Sequence, residues 1–138
     1  GGANKETQDH LYKFGINIGI AFQLKDDFLD IYGNPESFGK QVGGDVLSNK
    51  KTFLYLKALQ LADKANKNRL QAHYKTTEKS QNKINAVKEI FKNLNLRKHT
   101  LEMMRSYYIK ATKHLEYIDS SKKTPLVCFS NELMQRIS

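Results

Sequence analysis

The stretch AFQLKDDFLDIYGN, residues 21–34, places three aspartates inside an apolar run that ends at a strong helix stop. Asp26, Asp27 and Asp30 stand among Phe, Leu and Ile residues. Carboxylates in apolar surroundings are costly unless a partner compensates their charge. The Gly33-Asn34-Pro35 run that follows is typical of a helix end. The stretch therefore predicts the last turns of a helix, with aspartates whose negative charge is compensated by partners.

The helix that contains this stretch is predicted to run from about Lys5 to Tyr32. Between Phe14 and Ile31 it is apolar nearly all round, so we expect it to be buried on most sides. Its small and polar residues follow one another at spacings of four, four, three, one and three, which places them in one stripe. The stripe predicts the wall of a cavity with carboxylates toward one end. Its members are Gly15, Gly19, Gln23, Asp26, Asp27 and Asp30.

The remainder of the chain also has helical periodicity, and no convincing alternating strand occurs. After a glycine-containing loop we expect further helices, the last opening with Thr124 as N-cap and Pro125 in the first turn. These predictions give an all-α fold in a single partial domain, residues 1–138. The further helices are predicted from near Lys51, at Asn68–Tyr74, at Lys79–Leu94, from about Arg97 to Ile118, and from Thr124-Pro125 to about Ile137.

Charge and composition limit the function classes. Residues 1–63 carry seven Lys/Arg and eight Asp/Glu, whereas residues 64–123 carry fifteen Lys/Arg and five Asp/Glu. The lysines of this basic half are scattered on helical patterns, which favours solvated helix faces over a nucleic-acid surface. The single Cys128 excludes an internal disulfide framework. No apolar run reaches the length of a membrane span, so we expect a cytoplasmic protein without stable membrane insertion.

Aspartates at positions i, i+1 and i+4 suit Mg²⁺, which prefers carboxylate oxygens and shares its shell with water and substrate phosphates. The alternative is a surface acidic turn, against which the flanking phenylalanines and leucines argue. The loop that follows brings Lys40, Lys50 and Lys51 within a short reach of the acidic turn. Lysines beside Mg²⁺-binding aspartates suit a diphosphate. The Gly43-Gly44 pair would let the loop backbone approach a ligand, although an ordinary glycine turn has the same pattern.

Residues 14–56, FGINIGIAFQLKDDFLDIYGNPESFGKQVGGDVLSNKKTFLYL, strongly resemble the second aspartate-rich region of trans-isoprenyl diphosphate synthases. Five pieces match in order and at compatible spacing. From about Ala58 to Ser138 the resemblance to this family is loose. The five pieces are Phe22-Gln23, Asp26-Asp27-Phe28-Leu29-Asp30, Gly39-Lys40, Gly44-Asp45 and Asn49-Lys50.

The resemblance implies an isoprenoid-synthase-type helical bundle and condensation of an allylic diphosphate with isopentenyl diphosphate. It implies Mg²⁺ as the cofactor, with Asp26 as a direct ligand and Asp27 and Asp30 as ligands or holders of metal-bound water. Lys40 and Lys50 are implied to contact the allylic diphosphate during catalysis. The resemblance further implies a homodimer for the full-length enzyme, without a nucleic-acid partner.

Two more residues of the motif receive roles from the resemblance. Gln23 would be a polar group of the cavity wall, and Asp45 would orient Lys40 or metal-bound water. The first aspartate-rich motif of the family does not occur in these 138 residues. We therefore expect this chain to be the C-terminal portion of such an enzyme. Two alternatives stay open from the sequence: a non-catalytic regulatory subunit of the same family, and a basic helical nucleic-acid-binding module.

Overall fold

The computed structural model describes residues 5–33, 42–118 and 120–135, and these residues form helices and short connections without a strand. The all-α prediction is therefore confirmed. The first helix has the predicted bounds. The helices are α1 (Lys5–Tyr32), α2 (Gly44–Leu47), α3 (Phe53–Leu61), α4 (Lys64–His73), α5 (Gln81–Asn93), α6 (Leu96–Leu115) and α7 (Ser120–Gln135).

The chain divides into two compact units, residues 26–101 and residues 1–25 with 102–138. The first unit contains the acidic turn and a core cluster drawn from the end of α1 and from α2 to α6. Leu54 and Ala58 of α3 meet Leu70 of α4 in this cluster, and α5 contributes Val87 and Phe91, all with 1% exposure or less. This core holds the segments around the acidic turn in place.

Side-chain caps define where several of these helices begin. Thr52 accepts from the Tyr55 amide at 3.3 Å, and Ser80 accepts from the Lys83 amide at 3.2 Å. Asp63 accepts from the Asn66 amide at 2.8 Å, so α4 begins at Lys64. Each cap satisfies a backbone N–H that has no partner within its helix. The predicted start near Asn68 was wrong, because the Asp63 cap starts the helix four residues earlier.

In the second unit, most of the buried apolar side chains come from α1 and α6. Phe14, Ile18 and Ala21 of α1 are buried, as are Met104 and Ala111 of α6. None of the helices in the described ranges is both long and apolar enough to cross a bilayer.

The final helix differs from the prediction, because α7 begins at Ser120 and Pro125 lies inside it. Thr124 is therefore not the N-cap. A proline in the second turn lacks the N–H that would bond to the carbonyl of Ser121, and the helix tolerates that loss. The pattern Thr-Pro indicates a helix start only when the preceding residues cannot themselves be helical.

The expectation that α1 is buried on most sides was also wrong for this chain. Ile16, Ile20 and Phe22 are 45%, 36% and 49% exposed. A side-chain Cβ added at Gly15 or Gly19 would meet no atom of the described residues within 4 Å. Apolar periodicity indicates that a face is suited to burial, but it does not supply the atoms that cover it.

Candidate functional site

Asp27 lies against the N-terminus of α3. Its side chain is 4% exposed, and its Oδ2 accepts a hydrogen bond from the backbone N–H of Phe53 at 3.1 Å. Phe53 is the first residue of α3, where backbone N–H groups lack helical partners and the helix dipole favours a negative charge. The Asp27 carboxylate is thus compensated by the helix end that it caps.

Asp30 holds the beginning of α2 in a similar way. Its Oδ2 accepts from the backbone N–H of Asp45 at 3.0 Å, and its carbonyl accepts from the N–H of Gly43 at 2.7 Å. The turn before α2 is therefore fastened to the last turns of α1 through one residue. The link between Asp30 and Asp45 is made by the backbone of Asp45, which the sequence pattern alone did not indicate.

Asp26 differs from the other two aspartates because its side chain is exposed. Asp30 is half-buried. Residues i and i+4 share a helix face, so Asp26 and Asp30 lie one turn apart on the same side of α1. The three carboxylates thus occupy different environments: Asp27 supports the fold from a buried position, and Asp26 reaches solvent.

Gly43 is required at the turn for two independent reasons. Its φ is +89°, in the left-handed region that favours glycine. A Cβ at this position would also come within 2.8 Å of the buried Ile84 side chain. Next to it, a Cβ at Gly44 would sit 3.5 Å from Asp30 Oδ1, which is ordinary contact. The glycine pair therefore serves close packing of the turn against α5 as well as approach to Asp30.

Lys50 sits in a corner whose backbone is fixed on both sides. Its N–H donates to the carbonyl of Asp45 at 2.9 Å, and its carbonyl accepts from the N–H of Thr52 at 3.0 Å. The side chain of Lys50 is exposed. Asn49, which precedes it, has φ +57°, a left-handed conformation that asparagine adopts more readily than most residues. The segment from Asp45 to Phe53 thus carries Lys50 between its attachments to Asp30 and Asp27.

Two lysines, one just before α5 and one in its first turn, hold this segment from the other side. Lys79 Nζ donates to the carbonyl of Leu47 at 2.8 Å. Lys83 Nζ donates to Asn49 Oδ1 at 2.6 Å and to the carbonyl of Thr76 at 3.0 Å. Lys83 is only 2% exposed, which contradicts the expectation that the lysines of the basic half are solvated. The available signal was its position four residues before Val87, on the apolar face of α5.

Tyr74 adds a buried phenol beside the acidic residues. Burial raises the pKa of Tyr74 far above its ordinary value, and Tyr55, Asp45 and Asp30 raise it further. The ring of Tyr74 packs on Tyr55 with centroids 4.2 Å apart. The negative charges of Asp30 and Asp45 therefore disfavour ionisation of this buried phenol.

The other residues predicted for the site differ in how far they are exposed to solvent. Gln23 is exposed on α1, one turn before Asp27, and the side chain of Asp45 is half-buried. Lys51 is exposed next to Lys50. Lys40 lies outside the described residues.

The carboxylates can be compared with the needs of a metal ion. No three His, Cys, Asp or Glu side chains gather around a common point within the described ranges. Mg²⁺ commonly uses only one or two carboxylates and completes its shell with water and substrate phosphates. Asp26 and Asp30 fit that requirement by their chemistry and shared helix face. Asp27 is already bonded to the Phe53 amide through one oxygen.

The fold and the site together define an all-helical protein. Its acidic turn is hydrogen-bonded to a segment that carries an exposed lysine, Lys50. The sequence model of the polyprenyl synthetase family matches residues 1–93. The chain belongs to the polyprenyl synthetase family.

Individual relatives agree with this assignment. The chain is 32% identical over 126 residues to the geranylgeranyl diphosphate synthase of Saccharolobus solfataricus, covering 88% of this chain and 36% of the relative. It is 33% identical over 136 residues to the farnesyl pyrophosphate synthase of Candida albicans, covering 96% of this chain and 36% of the relative. The chain thus spans little more than a third of the length of these relatives.

A solved structure has the same helical arrangement. The crystal structure of geranylgeranyl pyrophosphate synthase from Corynebacterium glutamicum, complexed with isoprenyl diphosphate and magnesium, superposes with a TM-score of 0.86. The two sequences are 26% identical, and the match covers 98% of this chain and 39% of the other. The isoprenoid-synthase-type fold, present here in part, is therefore confirmed.

Proposed function

We propose that this chain supplies the magnesium–diphosphate half-site of a trans-isoprenyl diphosphate synthase. The observation that carries the proposal is that Asp26 and Lys50 are both exposed. Lys50 stands on a segment that Asp30 and Asp27 attach to the same turns of α1. A carboxylate and an ammonium on one braced support suit a metal-bound diphosphate, which needs partners of both charges.

The three aspartates divide the work in this proposal. Asp26 is a direct metal ligand, and Asp30 is a ligand or a holder of metal-bound water. Asp27, buried against α3, supports the turn and also holds metal-bound water. When bound, Mg²⁺ neutralises charge on the diphosphate and so makes it a better leaving group.

Lys50 contacts the allylic diphosphate together with Lys40, and both stabilise the charge that develops as the carbon–oxygen bond breaks. Gln23 is a polar group of the cavity wall. Asp45 orients Lys40 or metal-bound water through its side chain while its backbone spans Asp30 and Lys50.

The proposed reaction joins an allylic diphosphate to isopentenyl diphosphate. The allylic carbon–oxygen bond breaks, and diphosphate leaves with the electron pair. The double bond of isopentenyl diphosphate attacks the allylic cation, and loss of a proton restores a double bond in the longer trans-prenyl diphosphate. We further propose that the full-length enzyme is a cytoplasmic homodimer, in which the family's first aspartate-rich motif, which does not occur in these 138 residues, completes the metal site.

Calorimetric titration of the 138-residue chain with inorganic diphosphate in excess Mg²⁺ tests the half-site. We expect binding that requires Mg²⁺ and is weakened about tenfold or more in Asp26→Ala, because a charged partner contributes about 1.5 kcal/mol or more. Glu89→Ala removes an exposed carboxylate elsewhere in the same unit and should leave the affinity unchanged. Equal affinities in Asp26→Ala and Glu89→Ala would refute the metal role of Asp26.

The same titration tests the lysine. Lys50→Ala should lose about tenfold or more in affinity, whereas Lys51→Ala, a matched change at the adjacent exposed lysine, should stay within about threefold. In the full-length enzyme, Lys50→Ala should lower the catalytic rate by roughly 10²–10³, as expected for loss of one preorganised donor. A Lys50 variant that matches the Lys51 variant in both assays would contradict the proposal.

A further inference from the structure

Lys83 stands out because a lysine is rarely buried without a specific partner. Its side chain is 2% exposed within α5, yet it comes 34 residues after the asparagine that it contacts. Burial lowers the pKa of Lys83 below its ordinary value, and Lys79 lowers it further while Glu78 opposes the change. Burying this ammonium is unfavourable by itself, so its contacts have to compensate it.

Those contacts form a closed set of three hydrogen bonds. Lys83 Nζ donates to Asn49 Oδ1 at 2.6 Å and to the Thr76 carbonyl at 3.0 Å. The amide of Asn49, Nδ2, donates to the same Thr76 carbonyl at 2.8 Å. Both polar ends of the Asn49 side chain are thereby occupied, which restrains its rotation and its position.

Asn49 is also the residue at which the chain turns. Its left-handed backbone, with φ +57°, ends α2 and sets the direction in which Lys50 continues. The N–H of Asn49 donates to the Val46 carbonyl at 3.1 Å. A non-glycine residue held in this region needs surrounding contacts that determine its conformation. The side-chain contacts with Lys83 and Thr76 meet that need.

We propose that Lys83 is a positioning residue that fixes the Asn49 turn and thereby holds Lys50 ready for the diphosphate. The inference rests on the proposed diphosphate role of Lys50 and extends it to a buried residue on another helix. Lys83 does not touch the diphosphate in this proposal. It acts through Asn49 on the backbone of Lys50, which Asp45 and Thr52 hold from either side.

The test is a double-mutant cycle, read as the affinity for inorganic diphosphate in excess Mg²⁺. Lys83→Met removes the ammonium and keeps an unbranched apolar chain, and Lys92→Met makes the same change at an exposed position of α5. We expect Lys83→Met to weaken binding about three- to tenfold, the effect of losing hydrogen bonds within a buried set. Lys92→Met should bind as the wild type does.

The decisive measurement is Lys83→Met in a Lys50→Ala background. If Lys83 acts through Lys50, the double variant should bind as Lys50→Ala does, within about 1.5-fold, because coupled residues are not additive. A loss of stability alone would not give this pattern. Effects that multiply, or a Lys83→Met variant as tight as Lys92→Met, would overturn this inference and leave the role of Lys50 intact.

Unchanged affinity in Lys50→Ala would overturn the proposed role of Lys50 and this inference together, so the two failures are distinguishable. Should Lys83→Met not fold, Asn49→Gly breaks the same link without changing α5. Glycine accepts the positive φ freely but offers no side chain to Lys83. Asn49→Gly should also weaken diphosphate binding about three- to tenfold, and no loss in this variant would overturn the inference.

Discussion

Replacing Asp27 with alanine tests whether this buried aspartate stabilises the fold in a way that the exposed Asp26 does not. Asp27 is buried, and its carboxylate accepts the Phe53 amide at the start of α3. Truncation leaves that N–H without its acceptor and removes a negative charge from the helix N-terminus. We expect a clear loss in the free energy of unfolding, with the helical fold preserved under native conditions.

The size of the loss can be worked out from these two contributions. A buried donor left without a partner costs about 1–3 kcal/mol. Loss of a favourable charge at a helix N-terminus costs about 0.3–1 kcal/mol. We therefore expect Asp27→Ala to lower the free energy of unfolding by about 2 kcal/mol, and Tm by about 8 °C for a chain of this size. Asp27→Asn keeps an acceptor oxygen without the charge and should lose about half as much.

Urea denaturation followed by far-UV circular dichroism measures these differences. Asp26→Ala is the matched control, since it removes the neighbouring but exposed carboxylate. Its free energy of unfolding should stay within about 0.5 kcal/mol of wild type, as is usual for surface changes. An Asp27 variant as stable as the Asp26 variant would show that the contact with Phe53 does not stabilise the fold, and the reasoning would fail.

Three further predictions concern stability. Gly43→Ala should lower the free energy of unfolding by about 2–4 kcal/mol, because alanine disfavours the positive φ and its Cβ would collide with Ile84. Gly19→Ala should instead raise the free energy of unfolding by about 0.5–1 kcal/mol, since α1 has space there and alanine favours helix. Urea denaturation measures both changes, and a change of the opposite sign would contradict the corresponding prediction. Burial raises the pKa of Tyr74, so above pH ~10 the unfolded chain loses a proton that the folded chain keeps. Tyr74 alone should then lower stability by about 1.4 kcal/mol per pH unit, a contribution that Tyr74→Phe removes and exposed Tyr12→Phe keeps; equal slopes in the two variants would count against it.

Helix positions were predictable wherever the pattern was local. The extent of α1 follows from its apolar periodicity and the stop at Gly33. The buried face of α5, with Val87 and Phe91, follows in the same way. The start of α4 depended on a single cap at Asp63, and the start of α7 on whether residues before Pro125 are helical. Such ends involve few residues and small energies, so periodicity does not locate them.

The helical class, the family resemblance and the residue types of the candidate site follow from the amino-acid sequence alone. Side-chain chemistry and spacing carry this information, because residues i and i+4 of a helix share a face in any fold. The spacing of Asp26, Asp27 and Asp30 therefore indicates, by itself, a group of carboxylates suited to Mg²⁺.

Which carboxylate is buried, and which backbone N–H each one accepts from, depends on how the chain folds. Asp27 reaches Phe53 and Asp30 reaches Asp45 across 26 and 15 residues of chain. The contact of Lys83 with Asn49 spans 34. Such partners meet because packing of the core brings distant segments together, and hydrogen bonds form over about 3 Å whatever the separation in sequence. Local periodicity does not indicate which residues far apart in the chain come within hydrogen-bonding distance. The burial of these side chains and their hydrogen-bond partners are therefore known only from the fold.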